Sequence, residues 1–189
     1  MTPEQLVAFA RTVDGQGTED NQNCTYTKAE LNALAWFVAN LPINGRVVEI
    51  GVFTGRSASL YFQVQAEKNL DLHLIDNWSW NQKFASHAFA DLVIDNFSET
   101  PFTHHKMRSD YLGLYWNLPI DLLHIDGWHD MPGIEPDCRL WLPHVVSGGI
   151  VAFHDSDCPP VAECIDRFVT NGGWKAVAFA GRTSVWRKP

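Results

Sequence analysis

Short apolar runs, each closed by glycine or by polar residues, recur along the chain and predict buried strands of a parallel sheet. The clearest run, residues 120–125, is followed at once by Asp126 and then by His129. Ligands of open α/β sheets bind just outside the carboxyl ends of the strands, so these two residues are candidate site residues. Similar runs lie at 47–50, 71–75 and 149–153.

Between these runs, apolar residues recur at helical spacing. The predicted helices cover 3–13, 27–38, 57–67, 82–97, a short stretch from 110, 134–142 and 161–169. Thr27 is the expected N-cap of the second helix, with Glu30 completing a capping box. A weaker strand is expected at 102–107, and two final strands, 175–180 and 184–187, are too close in sequence for a helical crossover and predict an antiparallel hairpin.

The alternation of strands and helices predicts an α/β fold. We expect a Rossmann-like, doubly wound, mainly parallel seven-stranded sheet with helices on both faces and a C-terminal antiparallel hairpin. The length of 189 residues suits a single domain over 1–189. Within it, residues 1–44 form an N-terminal helical segment and residues 45–189 form the ligand-binding α/β core. The polar stretch 14–23 predicts a loop, either flexible or folded over a site as a lid.

Composition narrows the class of protein. The chain is 46% hydrophobic and 19% charged, as expected of a globular protein, and its net charge is −8. This charge disfavours nucleic acid and anionic membrane surfaces as partners. Since neither a signal peptide nor a bilayer-spanning run is evident, we expect a cytoplasmic protein; a homodimer is compatible with the sequence but not specified by it. The cysteines form no C-x-x-C pair, which favours free thiols over a zinc site; they are Cys24, Cys138, Cys158 and Cys164.

A glycine-containing turn follows the first strand of the core. Gly51 would let the backbone approach a ligand, and Gly55 allows a tight turn before the helix that begins at Ser57. Glu49 lies one residue before the end of that strand. Asp76 ends the next strand, where an acid can accept both hydroxyls of a ribose. The spacing G-x-x-x-G differs from G-x-G-x-x-G, which disfavours a nicotinamide or flavin cofactor.

This combination resembles the class I S-adenosylmethionine-dependent methyltransferases, whose motif E/D-x-G-x-x-x-G and acid after the second strand are matched here. The sequences HIDGWH and GGIVAFHD are similar to those of the small-molecule O-methyltransferase group with D-G-x-H and H-D motifs, which includes relatives of macrocin O-methyltransferase and cephalosporin hydroxylase-type proteins. The resemblance implies S-adenosylmethionine as cofactor and a small hydroxylated molecule as methyl acceptor. It implies cofactor contacts from Glu49, Gly51, Gly55, Ser57, Asp76, Ser109 and Asp126.

The resemblance also implies a catalytic centre. Asp126, His154 and Asp155 would bind Mg²⁺ or another divalent metal, and Asp126 would act in catalysis with His129 as the base that takes the hydroxyl proton. His154 departs from the pattern because nitrogen is a poor ligand for magnesium. It could instead orient Asp155, contact the substrate, or favour Mn²⁺ or another transition metal.

Each candidate also has a structural interpretation. Asp126 and Asp155 could cap turns, His129 could be structural, and Ser109 could be a helix N-cap. His124, inside a strand, is expected to be buried with its hydrogen bonds satisfied, and His104 and His105 are expected at the surface or a strand edge. The residues expected either to pack or to line a ligand site are Trp78, Trp80 and Trp128. Two other functions stay open at this point: a nucleotide- or sugar-linked enzyme, including an oxidoreductase, and a binding module without turnover.

Overall fold

The structure is a computed structural model that describes residues 2, 4–5, 26–53, 55–79 and 99–189. The predicted loop at 14–23 lies outside the described residues, as do Trp80 and Cys24. The predicted helices at 3–13 and 82–97 lie mostly or wholly outside them as well.

A seven-stranded sheet forms the centre of the molecule, in the order β3-β2-β1-β4-β5-β7-β6. The first five strands of that order are parallel, whereas β7 is antiparallel to both β5 and β6. The predicted fold class, including the C-terminal hairpin, is therefore confirmed. The strands are β1 (Arg46–Ile50), β2 (Asp71–Ile75), β3 (Thr103–His105), β4 (Ile120–Ile125), β5 (Val145–Phe153), β6 (Lys175–Ala180) and β7 (Thr183–Arg187).

The helices connect the strands much as predicted. The Thr27 side chain accepts a hydrogen bond from the Glu30 amide, and the Glu30 side chain accepts one from the Thr27 amide, which confirms the capping box. The helices are α1 (Lys28–Ala39), α2 (Ala58–Lys68), α3 (Ser109–Gly113), α4 (Met131–Trp141) and α5 (Pro159–Cys164), which continues as a π-helix over Ile165–Thr170. In the described part of the chain, no helix has the length and apolar character needed to cross a bilayer.

Two of the predicted helix boundaries are wrong. Helix α4 begins at Met131, three residues earlier than the apolar spacing indicated, and α5 begins at Pro159 instead of Val161. Proline occupies the first turn of each helix, where its missing N–H costs nothing and its fixed φ suits the helix. Apolar spacing alone does not detect these proline-containing first turns.

Both faces of the sheet are buried, as a doubly wound fold requires. On one face, α1 and α2 pack over Val47 and Leu122. On the other face, α4 and α5 pack over Val48, Ile125 and Phe153. Successive residues of β1 thus enter different apolar clusters, which is why its sequence is a continuous apolar run with Glu49 as the exception.

The hydrogen-bond ladder continues one residue past the ends of the parallel strands. The amides of Gly51, Asp126 and His154 each donate to the carbonyl oxygen of the last residue of the neighbouring strand, at 2.8 to 3.0 Å. These pairings bring the residues that follow β1, β4 and β5, namely Gly51, Asp126 and His154, to one edge of the sheet. Asp76, after β2, is held in the same way, 3.2 Å from the carbonyl oxygen of His105.

Gly51 has no room for a side chain. Its φ is +85°, and a Cβ added to it would lie 2.1 Å from the carbonyl oxygen of Asp126. We expect Gly51→Ala to lower the free energy of unfolding by about 3 kcal/mol or more, because backbone strain and a steric clash add together. Gly148→Ala is the matched control, since Gly148 has a φ of +78° and open space around it. Equal losses of unfolding free energy for the two variants in urea titrations would contradict this account of Gly51.

Candidate active site

A cavity of about 680 Å³ opens at the carboxyl edge of the sheet. This volume lies within the usual range of small-molecule sites. Helices α3 and α4 contribute part of its wall. Of the residues predicted to form the site, those that line the cavity are Gly51, Asp76, Ser109, Asp126, His129, His154 and Asp155.

The other three predicted cofactor residues, Glu49, Gly55 and Ser57, do not line the cavity. Glu49 is fully buried behind the glycine turn, where it accepts a hydrogen bond from the Ser57 hydroxyl. Its carboxylate also lies 3.2 Å from Nδ1 of His124. Burial raises the pKa of Glu49. The geometry therefore gives Glu49 and Ser57 partners within the protein, and their contacts with a cofactor stay predictions.

His124 is buried with both ring nitrogens in contact with hydroxyls, as predicted. The Tyr26 hydroxyl lies 2.8 Å from Nε2, and the Tyr61 hydroxyl lies 3.0 Å from Nδ1. Burial raises the pKa of both tyrosines well above the usual value, so both hydroxyls keep their protons. His124 is thus part of the support behind the cavity and does not face it.

Asp76 supports the glycine turn. Its Oδ2 accepts hydrogen bonds from the amides of Val52 and Phe53, at 2.8 and 2.9 Å, and its Oδ1 accepts one from the Trp78 amide at 2.7 Å. A carboxylate has about four lone-pair sites, so one site on Oδ1 is left for a ligand. In this arrangement Asp76 can therefore accept one hydroxyl of a ribose, whereas the sequence led us to expect both.

Strained backbone surrounds the cavity. Phe53 and Trp78 have φ angles of 50° and 47°, in the left-handed region that bulky residues rarely adopt. Asp155 has a φ of 53°, which aspartate adopts more readily. Trp78 is buried in the apolar core and does not line the cavity, so its packing interpretation is confirmed. Trp128, by contrast, is half-exposed and lines the cavity.

Asp126, His154 and Asp155 converge as predicted, with candidate ligand atoms that all lie within 4.8 Å of one another. Nδ1 of His154 is 3.1 Å from Asp126 Oδ1 and 3.4 Å from Asp155 Oδ1. The second oxygen of Asp126 accepts a hydrogen bond from the Tyr26 hydroxyl at 2.8 Å. Asp126 and Asp155 are therefore parts of an interaction network, and neither acts as a simple cap.

Arg182, in the turn between β6 and β7, completes this cluster. Its guanidinium lies 2.7 Å from Asp155 Oδ1 and 3.0 Å from Asp157. Its amide donates to Glu30 at 2.7 Å, which fixes the turn against α1. Sequence reasoning missed Arg182, because it predicted the hairpin but not its pairing beside β5.

The charges around this cluster disfavour a divalent cation. Asp126 and Asp155 already face two cationic side chains, the imidazolium of His154 and the guanidinium of Arg182. A metal ion at this position would be repelled by Arg182 and would have to replace the proton of His154. The metal-binding role of Asp126, His154 and Asp155 stays a prediction that this charge arrangement disfavours.

The charge of His154 makes stability depend on pH. Burial opposes the charge, but Asp126 and Asp155 raise the pKa of His154 to about 10. Since the unfolded value is near 6.5, the stabilisation is complete below about pH 6.5 and is lost as the pH rises to about 10. We expect the free energy of unfolding to fall over this window, by at most about 5 kcal/mol. Urea titrations at several pH values test this, and an equal slope in His154→Gln would contradict it.

His129 lies at the mouth of the cavity. Its Nδ1 is 3.5 Å from Asp155 Oδ2, and its side chain is 45% exposed. It lines the cavity together with Asp126. Its ring can therefore meet a ligand on one side and the Asp155 carboxylate on the other.

Ser109 lies in the wall of the cavity at the first residue of α3. Arg108 is the N-cap of that helix, so the N-cap interpretation of Ser109 is wrong. The Ser109 hydroxyl donates instead to Oδ1 of the buried Asp137, at 2.6 Å. Sequence reasoning missed Asp137, which has the spacing of an ordinary helix residue.

Comparisons with known proteins agree with this architecture. Residues 48–156, more than half of the chain, match the family described as "Methyltransferase domain". A stretch of 119 residues is 24% identical to the protein y4gI of Sinorhizobium fredii, and it amounts to 59% of this chain and 13% of that protein.

Solved methyltransferase structures share the fold. The O-methyltransferase NovP superposes with a TM-score of 0.73 at 15% identity, over 98% of each chain. The methyltransferase PaMTH1 of Podospora anserina, solved with S-adenosylhomocysteine, gives 0.65 at 12% identity, over 99% of this chain and 87% of that chain. CalS11, a TDP-rhamnose 3'-O-methyltransferase of calicheamicin biosynthesis, gives 0.63 at 15% identity, over 82% and 76%.

At these identities the structural matches establish the fold, and the family match over residues 48–156 establishes membership. The chain therefore belongs to the methyltransferase-domain family and has the fold of the class I S-adenosylmethionine-dependent methyltransferases.

Proposed function

We propose that the protein transfers the methyl group of S-adenosylmethionine to a hydroxyl oxygen of a small molecule, with His129 as the base. The observation that carries the proposal is a single cavity lined by both Asp76 and His129. One end of the cavity has an acceptor for a sugar hydroxyl, and the other has an exposed imidazole beside a carboxylate. Solved structures of the same fold that are described as O-methyltransferases include NovP and CalS11.

The residues at the edge of the sheet fit the cofactor. Oδ1 of Asp76 has one lone-pair site left for a ribose hydroxyl. Gly51 contributes to the lining of the cavity, and its missing side chain lets the backbone of Asp126 pack against it. The cavity of about 680 Å³ has room for the cofactor and a small acceptor together.

His129 is the group best placed to take the acceptor's proton. His154 holds a proton between two carboxylates, and Asp126 already accepts from Tyr26 and interacts with His154. His129 is exposed to the cavity, and Asp155 lies 3.5 Å from its other side. The Asp155 carboxylate would stabilise the imidazolium that forms when the proton arrives at His129.

S-adenosylmethionine supplies an electrophilic methyl group on a sulfonium. In the proposed reaction, the acceptor oxygen forms a bond to this methyl carbon as the carbon–sulfur bond breaks, and the electron pair of that bond stays on sulfur. His129 retains the hydroxyl proton and later releases it to solvent. The chain's main contribution is to hold the oxygen in line with the carbon–sulfur bond.

Transfer of a labelled methyl group tests the proposal. Purified protein would be incubated with S-adenosylmethionine carrying an isotopically labelled methyl and with phenols, catechols, sugar nucleotides and amines. We expect label on an oxygen of at least one hydroxylated acceptor and none on the amines. Label on nitrogen, or no transfer to any acceptor despite cofactor binding, would contradict O-methylation.

The same methyl-transfer experiment also tests whether the reaction needs a metal ion. Because His154 and Arg182 already neutralise the carboxylates, we expect equal rates of methyl transfer with a chelator, with Mg²⁺ and with Mn²⁺. A rate that falls with the chelator and returns with metal would show that the carboxylates rearrange to bind it. Direct titration of Mn²⁺ followed by electron spin resonance gives a readout that does not depend on activity.

A further inference from the structure

Tyr26 is a buried residue just before α1 and is not among the described residues that line the cavity. The residue before a helix N-cap often packs against the fourth residue of the helix. Here these positions are held by Tyr26 and Leu31, which belong to one apolar cluster. This packing accounts for an aromatic ring at position 26. It does not account for the hydroxyl, because a phenylalanine ring would pack in the same way.

The hydroxyl of Tyr26 lies between two side chains at the carboxyl end of β4. It donates to Oδ2 of Asp126 at 2.8 Å, and its oxygen lies 2.8 Å from Nε2 of His124. A hydroxyl carries a single proton, so His124 must supply the hydrogen of the second contact from Nε2–H. Asp126 lines the cavity, whereas His124 is fully buried. The buried histidine therefore fixes the direction in which Tyr26 donates, towards a carboxylate of the cavity.

The ring of Tyr26 makes a second contact with the same cluster. Its centroid lies 4.3 Å from that of the His154 imidazole, and the two ring planes are inclined at 40°. An aromatic ring within about 6 Å of a cation attracts it. The ring of Tyr26 thus stabilises the charged His154, while its hydroxyl holds Asp126, the carboxylate 3.1 Å from the same imidazole.

A chain of polar contacts leads from Tyr26 to the proposed base. Asp126 uses Oδ2 for Tyr26 and Oδ1 for Nδ1 of His154. The same Nδ1 lies 3.4 Å from Oδ1 of Asp155, whose Oδ2 lies 3.5 Å from Nδ1 of His129. Both oxygens of each carboxylate are therefore engaged, so a rotation of Asp126 would pass through His154 to Asp155 and from there to His129.

We propose that Tyr26 is a positioning residue for methyl transfer, whose hydroxyl fixes Asp126 and, through His154 and Asp155, holds His129 in its reactive orientation. This inference rests on the proposed function and adds to it a residue from outside the α/β core that begins at residue 45. The role requires the hydroxyl. Packing against α1 requires the ring alone, so the two roles can be separated by experiment.

Tyr26→Phe tests this role, because it keeps the ring and removes only the hydroxyl. With an acceptor from the labelling experiment, we expect kcat to fall by about 10-fold, since a base that is held less firmly is more often misplaced. The KM for the acceptor and the Kd for S-adenosylhomocysteine should change by less than about twofold, because Tyr26 does not line the cavity. In the matched control Tyr61→Phe, the hydroxyl at the other nitrogen of His124 is lost, and kcat should stay at the wild-type value. Urea titrations establish that both variants are folded.

A double-mutant cycle shows whether Tyr26 acts through Asp126. In an Asp126→Ala background, addition of Tyr26→Phe should change kcat by less than about twofold, whereas independent roles would give the full loss again. A wild-type kcat in Tyr26→Phe, an equal loss in Tyr61→Phe, or a full further loss in the double variant would overturn the proposal. A loss of kcat in Tyr26→Phe with an equal loss of cofactor affinity would indicate a structural role and would overturn it as well. Absence of methyl transfer by the wild-type protein would instead overturn the proposed function.

Discussion

His129→Ala is expected to lower kcat by about 100- to 10,000-fold, the usual contribution of a general base. The affinity for the cofactor should change by less than about twofold. The reason is geometric, because His129 lies at the mouth of the cavity beside Asp155, whereas the proposed cofactor contacts lie at β2 and α3. The kcat is measured with an acceptor from the labelling experiment, and affinity is measured by calorimetry.

His144→Ala is the matched control for His129. His144 precedes β5, so it lies at the opposite edge of the sheet from the cavity. Its removal should leave both kcat and cofactor affinity unchanged. If His129→Ala keeps most of the wild-type kcat, the proton is taken by another group or by water, and the proposed mechanism is wrong.

Asp76→Ala is expected to weaken cofactor binding by about 100-fold or more, which corresponds to a loss of about 3 kcal/mol or more. Two effects add together. The variant loses the acceptor proposed for a ribose hydroxyl, and the amides of Val52 and Phe53 lose the carboxylate oxygen that holds the glycine turn. A direct titration of S-adenosylhomocysteine measures the loss.

Asp71→Ala is the control for Asp76, because Asp71 is an acid at the opposite end of the same strand. Asp71 pairs with Arg46 at 2.7 Å and lies 3.1 Å from Nε2 of His73, and a part-exposed ion pair of this kind contributes little to stability. We expect unchanged cofactor affinity in this variant. Wild-type affinity in Asp76→Ala would show that the ribose of the cofactor does not bind at Asp76.

The sheet could be predicted closely from sequence because its strands are buried on both faces. The run at Ile120–Ile125 is short, apolar and soon followed by Gly127, and these features predicted β4. The hairpin of β6 and β7 followed from the short connection at Gly181 and Arg182. The first turn of α4 could not be predicted, because Pro132 and Gly133 interrupt the apolar spacing that indicates a helix.

The site residues that could be predicted from the sequence are those that directly follow the end of a strand. Asp76, Asp126 and His154 lie one residue beyond a strand, and a residue's distance from a strand end is visible in the sequence. Arg182 and Asp137 reach the cavity through tertiary packing. Neither residue has a local sequence feature that distinguishes it from the other charged residues of its segment.

The surroundings of Glu49 could not be predicted from its place in the motif, and its cofactor contact stays a prediction. Residues of a strand alternate between the two faces of the sheet. Glu49 shares its face with His124, so its side chain enters a buried network with Ser57 and away from the cavity.

Calorimetric titration of S-adenosylmethionine into the purified protein, with Asp76→Ala titrated in parallel, tests whether the cavity binds the cofactor through Asp76. We predict one site per chain with a Kd below about 100 μM for the wild type, and loss of most of that affinity in the variant. The absence of heat at cofactor concentrations near about 1 mM, or equal binding by both proteins, would contradict it.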